Sequence, residues 1–132
     1  MRIFLDTNVL ASAIATRGLC AELFEAVLHD HELLISEAVM GELERVLKTK
    51  LRVAHAVVTD FAALLRSEAE VVSAQQLPTS GISDADDVII VACALGGNAD
   101  VFVTGDKALL EIKIIDGMPV LSPRELWERL GL

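Results

Sequence analysis

The sequence predicts an α/β protein built on a parallel β-sheet, because short apolar runs alternate with segments of helical spacing. Two of the runs, Ile3-Phe4-Leu5 and Val101-Phe102-Val103, have the length and composition of buried strands. Between such runs, residues 19–29 place their apolar side chains on one face of a helix. Strand, helix and strand in succession form βαβ units, whose strands lie parallel.

Each predicted element has its own local signal, either an apolar run or an apolar face with a capping residue in front of it. The predicted strands cover residues 2–5, 33–35, 71–73, 101–103 and 119–121. The predicted helices run from Asn8 to near Gly18, over 19–29, from the cap Ser36 to about Lys48, over 53–69, over 88–95 and over 123–130. The helices that follow Ser36 and precede residue 70 are expected to form a hairpin beside the sheet.

The segment over residues 88–95 is apolar all round, so periodicity alone does not separate a strand from a buried helix. The sequence Ser83-Asp84-Ala85-Asp86 has the Ser-x-x-acid pattern of a helix start, with Ser83 as a candidate cap and with Asp84 or Asp86 as alternatives. The pair Gly96-Gly97 is typical of a helix end. A helix is therefore the prediction for this segment.

Composition limits the classes of function that this chain can have. It has 132 residues, of which 53% are hydrophobic, and this predicts one domain over residues 1–132. The net charge of −9 argues against broad, nonspecific binding of nucleic acid, although it does not exclude a nuclease. The two cysteines lack the spacing of a disulfide framework or a zinc site. With no signal peptide and no membrane span recognised, the expected compartment is the cytoplasm.

Carboxylates follow two of the predicted strands directly. Asp6 comes after the first strand, and Asp106 follows the fourth strand within Thr104-Gly105-Asp106. Ligands of open α/β sheets bind at the edge where the carboxyl ends of the strands lie. Carboxylates gathered there either hold a divalent cation or repel one another, at about 4 kcal/mol per pair at ~4 Å and an effective dielectric of ~20. The hypothesis is therefore a site for a hard metal ion, although an acid after a strand also often serves only as a helix cap.

Two further acidic positions are expected to join this site, and helical geometry leaves each of them open. Glu42 and Glu44 lie on opposite flanks of the apolar face of their helix, at similar angles. At the start of the helix after residue 83, any of Asp84, Asp86 and Asp87 has a suitable position.

Four segments form a pattern that extends from residue 2 to about residue 127. They are Asp6-Thr7-Asn8-Val9, Glu42-Leu43, Asp87-x-x-Ile90-x-Ala92-x-Ala94 and Thr104-Gly105-Asp106-Lys107. Together they resemble the PIN-domain family, which includes the VapC-type toxin ribonucleases of toxin–antitoxin pairs. The resemblance implies a three-layer α/β/α fold with a five-stranded parallel sheet in the order 3-2-1-4-5.

The resemblance also assigns roles to individual residues. Asp6, Glu42, Asp87 and Asp106 correspond to the family's acidic quartet, which binds Mg²⁺ or Mn²⁺, with Asn8 and Thr104 in support. It favours Glu42 over Glu44, and Asp87 over its acidic neighbours because the small-residue pattern after Asp87 fits best. The implied partners are an RNA substrate, an antitoxin protein and a second copy of the chain in a homodimer.

The expected activity is metal-dependent hydrolysis of RNA, with Asp6, Asp87 and Asp106 as the metal ligands and with Glu42 aiding a second ion. Cationic residues near the site, namely Arg45, Lys48 and Lys107, are candidates for contacts to the RNA backbone, although Arg45 and Lys48 also suit a solvated helix end. The alternative function is a PIN-like module that binds RNA or protein without cutting it. A receiver-like phosphorylation switch is disfavoured, because no acid ends the third strand.

Overall fold

A computed structural model of the chain describes residues 1–79 and 81–132. Six strands lie over Arg2–Leu5 (β1), Glu32–Ile35 (β2), Glu70–Val71 (β3), Val101–Val103 (β4), Ile114–Ile115 (β5) and Met118–Leu121 (β6). Seven helices lie over Thr7–Ala15 (α1), Leu19–Asp30 (α2), Glu37–Arg45 (α3), His55–Glu68 (α4), Ala85–Gly96 (α5), Lys107–Ile112 (α6) and Pro123–Arg129 (α7). Helix α3 continues into one π-helical turn over Val46–Lys50.

The strands form one sheet in the order β3-β2-β1-β4-β6-β5. The first five positions are parallel, and they reproduce the predicted order once β6 is counted as the fifth predicted strand. The prediction of five strands was one short, because β5 pairs antiparallel with β6 at the edge of the sheet. The two strands of this hairpin are joined through Asp116 and Gly117, both with positive φ, as a tight hairpin turn requires.

Helices cover both faces of the sheet, as the pattern of burial shows. Successive residues of a strand point to opposite faces, yet Ile3, Phe4 and Leu5 are all buried, and so are all three residues of β4. The rings of Phe4 and Phe102 stack across these two strands with centroids 5.4 Å apart. The predicted three-layer α/β/α architecture is therefore confirmed.

Capping side chains fix where the helices begin. Ser36 accepts a hydrogen bond from the backbone N–H of Val39, and Ser122 forms a complete capping box with Glu125. Of the candidate caps of the fifth helix, the structure has Asp84 rather than Ser83 or Asp86. One oxygen of its carboxylate accepts hydrogen bonds from the backbone N–H groups of Asp86 and Asp87, at 2.8 and 3.1 Å.

The predicted helical hairpin consists of α3 and α4. The helices are linked by an ion pair in which Arg66 donates to both carboxylate oxygens of Glu37, at 2.8 and 3.1 Å. At the opposite end of the sheet from the strand-end acids, Arg2 joins three strands by donating to Glu32 and Glu70. Within the described ranges, no helix is both long and apolar enough to cross a membrane.

Candidate active site

Asp6 lies at the centre of the strand edge, since β1 is flanked by β2 and β4. The parallel register pairs Leu5 with Val103, which brings Asp6 beside Thr104 although 98 residues separate them. The buried carboxylate of Asp6 accepts from the Thr104 hydroxyl at 2.8 Å, from the backbone N–H of Thr7 at 2.8 Å and from the Asn8 amide at 3.3 Å. Burial raises the pKa of Asp6, and these hydrogen bonds oppose the rise.

Asn8 and Thr104 connect the first strand end to the fourth. The Asn8 amide nitrogen donates to the Thr104 hydroxyl oxygen at 3.3 Å, and the Asn8 carbonyl oxygen accepts from the backbone N–H of Gly105 at 2.8 Å. The Thr104 hydroxyl oxygen also accepts from the backbone N–H of Asp106 at 3.1 Å. The two residues expected to support the site therefore hold Asp6 and the backbone of Asp106 in one network.

Asp106 has the capping role that the sequence left open, and it also lies among the acids. One of its carboxylate oxygens accepts from the backbone N–H groups of Ala108 and Leu109, at 2.8 and 3.2 Å, at the start of α6. Its charge raises the pKa of both Asp6 and Asp87. Both capping bonds go to the same oxygen, so the other carboxylate oxygen of Asp106 keeps its acceptor capacity.

Asp87 differs from the two acids that precede it. Asp84 is exposed and caps α5, where its carboxylate accepts hydrogen bonds from the backbone N–H groups of Asp86 and Asp87. Asp87 is half-buried, and its pKa is raised to about 6 by desolvation and by the charges of Asp84, Asp106, Asp6 and Glu42. The charges of both strand-end acids, Asp6 and Asp106, thus act on Asp87, while the charge of Asp86 acts on Glu42.

Glu42 and Glu44 point towards different neighbours. The pKa of Glu42 is raised by burial and by the charge of Asp6, which places its carboxylate beside the strand edge. The charge of Glu44 instead raises the pKa of Arg66 on α4. The ambiguity of the helical wheel is thus resolved by the packing of α3 between the sheet edge and α4.

Charge effects link the four expected acids, which come from the end of β1, from α3, from α5 and from the chain after β4, namely Asp6, Glu42, Asp87 and Asp106. Each of the first three has a pKa raised by at least one other acid of this set. Such mutual repulsion favours binding of a cation, and all four donors are the hard oxygen ligands that Mg²⁺ and Mn²⁺ prefer. In residues 1–79 and 81–132, however, no group of three or more His, Cys, Asp or Glu side chains is arranged so that it could hold a metal ion.

The three expected substrate-binding cations differ in their relation to the acids. Arg45 is exposed and lines a pocket with Glu42 and Asp86, and its charge lowers the pKa of Glu42. Lys107 is exposed directly after Asp106, and Lys48 is exposed on the π-helical turn. Lys50, on the same turn as Lys48, lowers the pKa of Glu42 as Arg45 does. The spacing of the residues in the sequence gave no reason to choose Lys50 over Lys48.

Two pockets flank the acids. One of about 290 Å³ lies between α3 and α5 and contains Glu42 and Arg45. The other, of about 330 Å³, lies between the loop before α5 and helix α6, and it contains Asp87 and Asp106. Glu42 thus lines one open pocket, and Asp87 and Asp106 line the other.

Comparison with known proteins agrees with this geometry. The model of the PIN domain family matches residues 2–108. No protein among the curated sequences matches the chain.

Two solved structures are similar to it. VapBC2 from Rickettsia felis, bound to a DNA fragment from its promoter, superposes with a TM-score of 0.65 at 20% identity, over 92% of this chain and 98% of that chain. The PIN domain endonuclease Utp24 superposes with a TM-score of 0.52 at 25% identity, over 92% of this chain and 84% of that chain.

The match to VapBC2 shows the fold alone, whereas the family model extends over most of the sequence and includes every acid of the strand edge. The resemblance expected from the motifs is confirmed: the chain belongs to the PIN domain family and has its nuclease-type fold.

Proposed function

We propose that this chain is a divalent-metal-dependent endoribonuclease that hydrolyses phosphodiester bonds in RNA. The observation that carries the proposal is the gathering of Asp6, Glu42, Asp87 and Asp106 from four separate elements at the carboxyl edge of the sheet. A protein gains no stability from placing four acids where they repel one another. Such an arrangement is expected where a cation is to be held, and perturbed carboxyl groups in a groove are typical of catalytic sites.

Asp6, Asp87 and Asp106 would hold the cation, and their donor chemistry fits Mg²⁺ or Mn²⁺. A divalent cation bound there supplies Lewis-acid chemistry: it lowers the pKa of a water molecule and offsets charge on the phosphate. Thr104 and Asn8 fix the Asp6 carboxylate in one orientation through hydrogen bonds of 2.8 and 3.3 Å. This fixed orientation reduces the entropy lost when a ligand is bound, which is the usual function of groups that support a metal ligand.

The remaining residues of the groove would orient the RNA. Glu42 adds a fourth carboxylate beside the other three, where it can help to hold a second cation or accept a proton from water. Arg45 and Lys107 are exposed on either side of the acids and would pair with phosphates that flank the scissile bond. Lys48 has the same proposed role at the rim, together with Lys50.

The biological role that we propose is that of a toxin acting in the cytoplasm and restrained by an antitoxin protein. Two points support it: the sequence motifs that resemble VapC-type toxins, and the similarity of fold to VapBC2. A homodimer is also proposed on the ground of the family resemblance. Sedimentation of the purified chain, alone and after co-expression with the product of the neighbouring gene, tests both partners.

The catalytic proposal is tested by measuring cleavage of single-stranded RNA with Mg²⁺ or Mn²⁺ present. Asp6→Asn and Asp106→Asn should each abolish cleavage without loss of helical circular dichroism, and EDTA should abolish cleavage by the native chain. The matched control is Asp60→Asn, at an exposed acid on α4, which should cleave normally. Full activity of either site variant, or of the native chain in EDTA, would rule out the mechanism.

Calorimetric titration with Mn²⁺ separates catalysis from binding. We expect binding to the native chain and a loss of at least about tenfold in affinity for Asp87→Asn, because one charged ligand is removed. Metal and RNA binding without cleavage would instead identify a non-catalytic PIN-like module.

A further inference from the structure

The pocket beside Asp87 and Asp106 has two walls of different chemistry. One wall carries these two acids, and the other is formed by apolar groups of the preceding loop and of α6, notably Ile82, Leu109 and Ile112. Its volume of about 330 Å³ lies within the range of pockets that bind small organic molecules. Glu111 lies at the rim and is exposed.

Hydrogen bonds hold the residues that come before and after the pocket-lining residues 81–83. Asp116, in the turn between β5 and β6, accepts hydrogen bonds from the hydroxyl and, at 3.1 Å, from the backbone N–H of Thr79. At its other end the chain enters α5 through the Asp84 cap. Thr79 and Asp84, before and after the pocket-lining residue Ile82, are thus each held by hydrogen bonds.

The lining selects a class of ligand. A phosphate would gain nothing from the apolar wall, and its proposed place is beside the cation that Asp87 and Asp106 would hold. A nucleobase is uncharged, has apolar faces that can lie against the partly exposed Ile82 and Ile112, and carries hydrogen-bonding groups only at its edge. A carboxylate at the rim can accept a hydrogen bond from an exocyclic amino group, as Glu does with the N4 group of cytosine.

We propose that this pocket binds the nucleobase next to the scissile phosphate, and that Glu111 selects bases with an exocyclic amino group over uracil. The inference rests on the proposed ribonuclease function, because the base must be attached to the phosphate held at the acids. It makes Glu111 a specificity-determining residue that takes no part in the bond cleavage itself.

The first test uses short RNAs that differ only in the base beside one cleavable bond. The native chain should cleave at cytosine about tenfold faster than at uracil, which corresponds to one hydrogen bond to a charged group. In Glu111→Gln this preference should fall to about twofold or less, because an amide can donate to uracil as well as accept from cytosine. The control Glu128→Gln, at an exposed acid on α7, should keep the native preference.

The second test measures binding without cleavage. Amide NMR shifts of the native chain in EDTA should respond to cytidine more strongly than to uridine, at Ile82 and over residues 108–112. Ala108→Leu should remove the response, since Ala108 is exposed in the pocket and a larger side chain would fill it. Ala63→Leu, at an exposed position of α4, should retain the response.

The outcomes distinguish this inference from the function on which it rests. RNA cleavage with no base preference, or with a preference unchanged by Glu111→Gln, overturns the base pocket and leaves the ribonuclease proposal intact. Shifts elsewhere on the surface also overturn it. Binding of cytidine at residues 108–112 in a chain that does not cleave RNA supports the pocket and contradicts the catalytic proposal.

Discussion

At the scale of single residues, Thr104 joins the two strand ends that form the site. Its side chain is fully buried, and its one hydroxyl group donates to Asp6 while accepting from Asn8 and from the backbone of Asp106. The short side chain of threonine fits the buried space at the end of β4 and still supplies this polar contact. A structural role and a role in the site are thus combined in one residue.

Replacing the hydroxyl of Thr104 should therefore be costly. Thr104→Val should lower the free energy of unfolding by about 2 kcal/mol, because it leaves the N–H of Asp106 and one Asp6 oxygen without this partner. Thr104→Ser keeps the hydroxyl and loses one buried methyl, at a cost of ~1 kcal/mol. Denaturation by urea measures both values, and equal stability of the valine variant and the native chain would contradict the network.

The raised pKa of Asp87 predicts how stability depends on pH. The folded-state pKa is about 6, against an ordinary value of 3.8. Between these values the folded chain binds a proton that the unfolded chain does not, so this group makes the fold less stable as pH rises towards 6 and above. The pKa difference corresponds to ~3 kcal/mol at most, and solvent screening of the half-exposed carboxyl reduces this to about 1 kcal/mol.

In EDTA at pH 7.5, Asp87→Asn should therefore be more stable than the native chain by about 1 kcal/mol. Near pH 4 the difference should disappear, since the native carboxyl is then protonated in the folded state. Thermal denaturation across this pH range gives the comparison, with Asp60→Asn as the control. A variant that is less stable at pH 7.5 would show that Asp87 is not repelled by its neighbours.

Residue types could be predicted from the sequence better than residue partners. Asp6 and Asp106 stand out because each follows an apolar run, a local signal that needs no knowledge of the fold. The choice between Glu42 and Glu44 depends on which flank of α3 meets the sheet edge and which meets Arg66 of α4. That choice is determined by contacts between elements distant along the chain, so helical spacing could not provide it.

At the scale of elements, α5 is packed so closely against the chain leaving β3 that its last turn requires glycine. A Cβ atom on Gly96 would overlap the carbonyl oxygen of Ser73, which is backbone and cannot move aside as a side chain would. Gly41, in the middle of α3, has no such neighbour within 4 Å. The two helical glycines therefore differ in cause: one is required by packing and the other is not.

This contrast predicts opposite effects of the same substitution. Gly96→Ala should destabilise the fold by about 2–3 kcal/mol through overlap with backbone. Gly41→Ala should stabilise it by about 0.5–1 kcal/mol, since alanine loses less conformational entropy in a helix. Guanidinium denaturation of both variants tests the pair, and a stabilising Gly96→Ala would mean that the helix end is not held against Ser73.

The elements that the sequence pattern missed are the ones with the weakest local signal. Strand β5 has two residues, too few for a periodic pattern, although Asp116-Gly117 after it is a strong hairpin signal. Strand β3 lies at Glu70–Val71, one residue before the predicted 71–73. Its position reflects pairing with β2 and the ion pair between Glu70 and Arg2, both of which are long-range contacts.

At the scale of the whole molecule, the position of the site follows from the order of the strands. Asp6 and Thr104 become neighbours because β1 and β4 pair at the centre of the sheet, where the strand order reverses direction along the chain. Crevices at such points are the usual ligand sites of open α/β sheets. The local pattern predicted acids at one edge of the sheet, and the family motifs were needed to predict which strands are adjacent.

The net charge of −9 leads to a last prediction, because the proposed RNA substrate is anionic too. The repulsion acts over the whole molecule, whereas attraction by Arg45 and Lys50 acts close to the acids. Salt screens the longer-range term first, as the Debye length falls from ~30 Å at 0.01 M to ~10 Å at 0.1 M. Raising NaCl from about 10 to about 150 mM at saturating Mn²⁺ should therefore change kcat/KM for RNA by no more than about twofold. Glu25→Gln on α2 removes one negative charge and so provides a variant in which the repulsion is slightly lower. A basic nucleic-acid binder would lose orders of magnitude in affinity over a comparable range of salt concentration. A slope of log kcat/KM against log salt concentration as steep as about −3 would show that attraction to phosphates dominates binding.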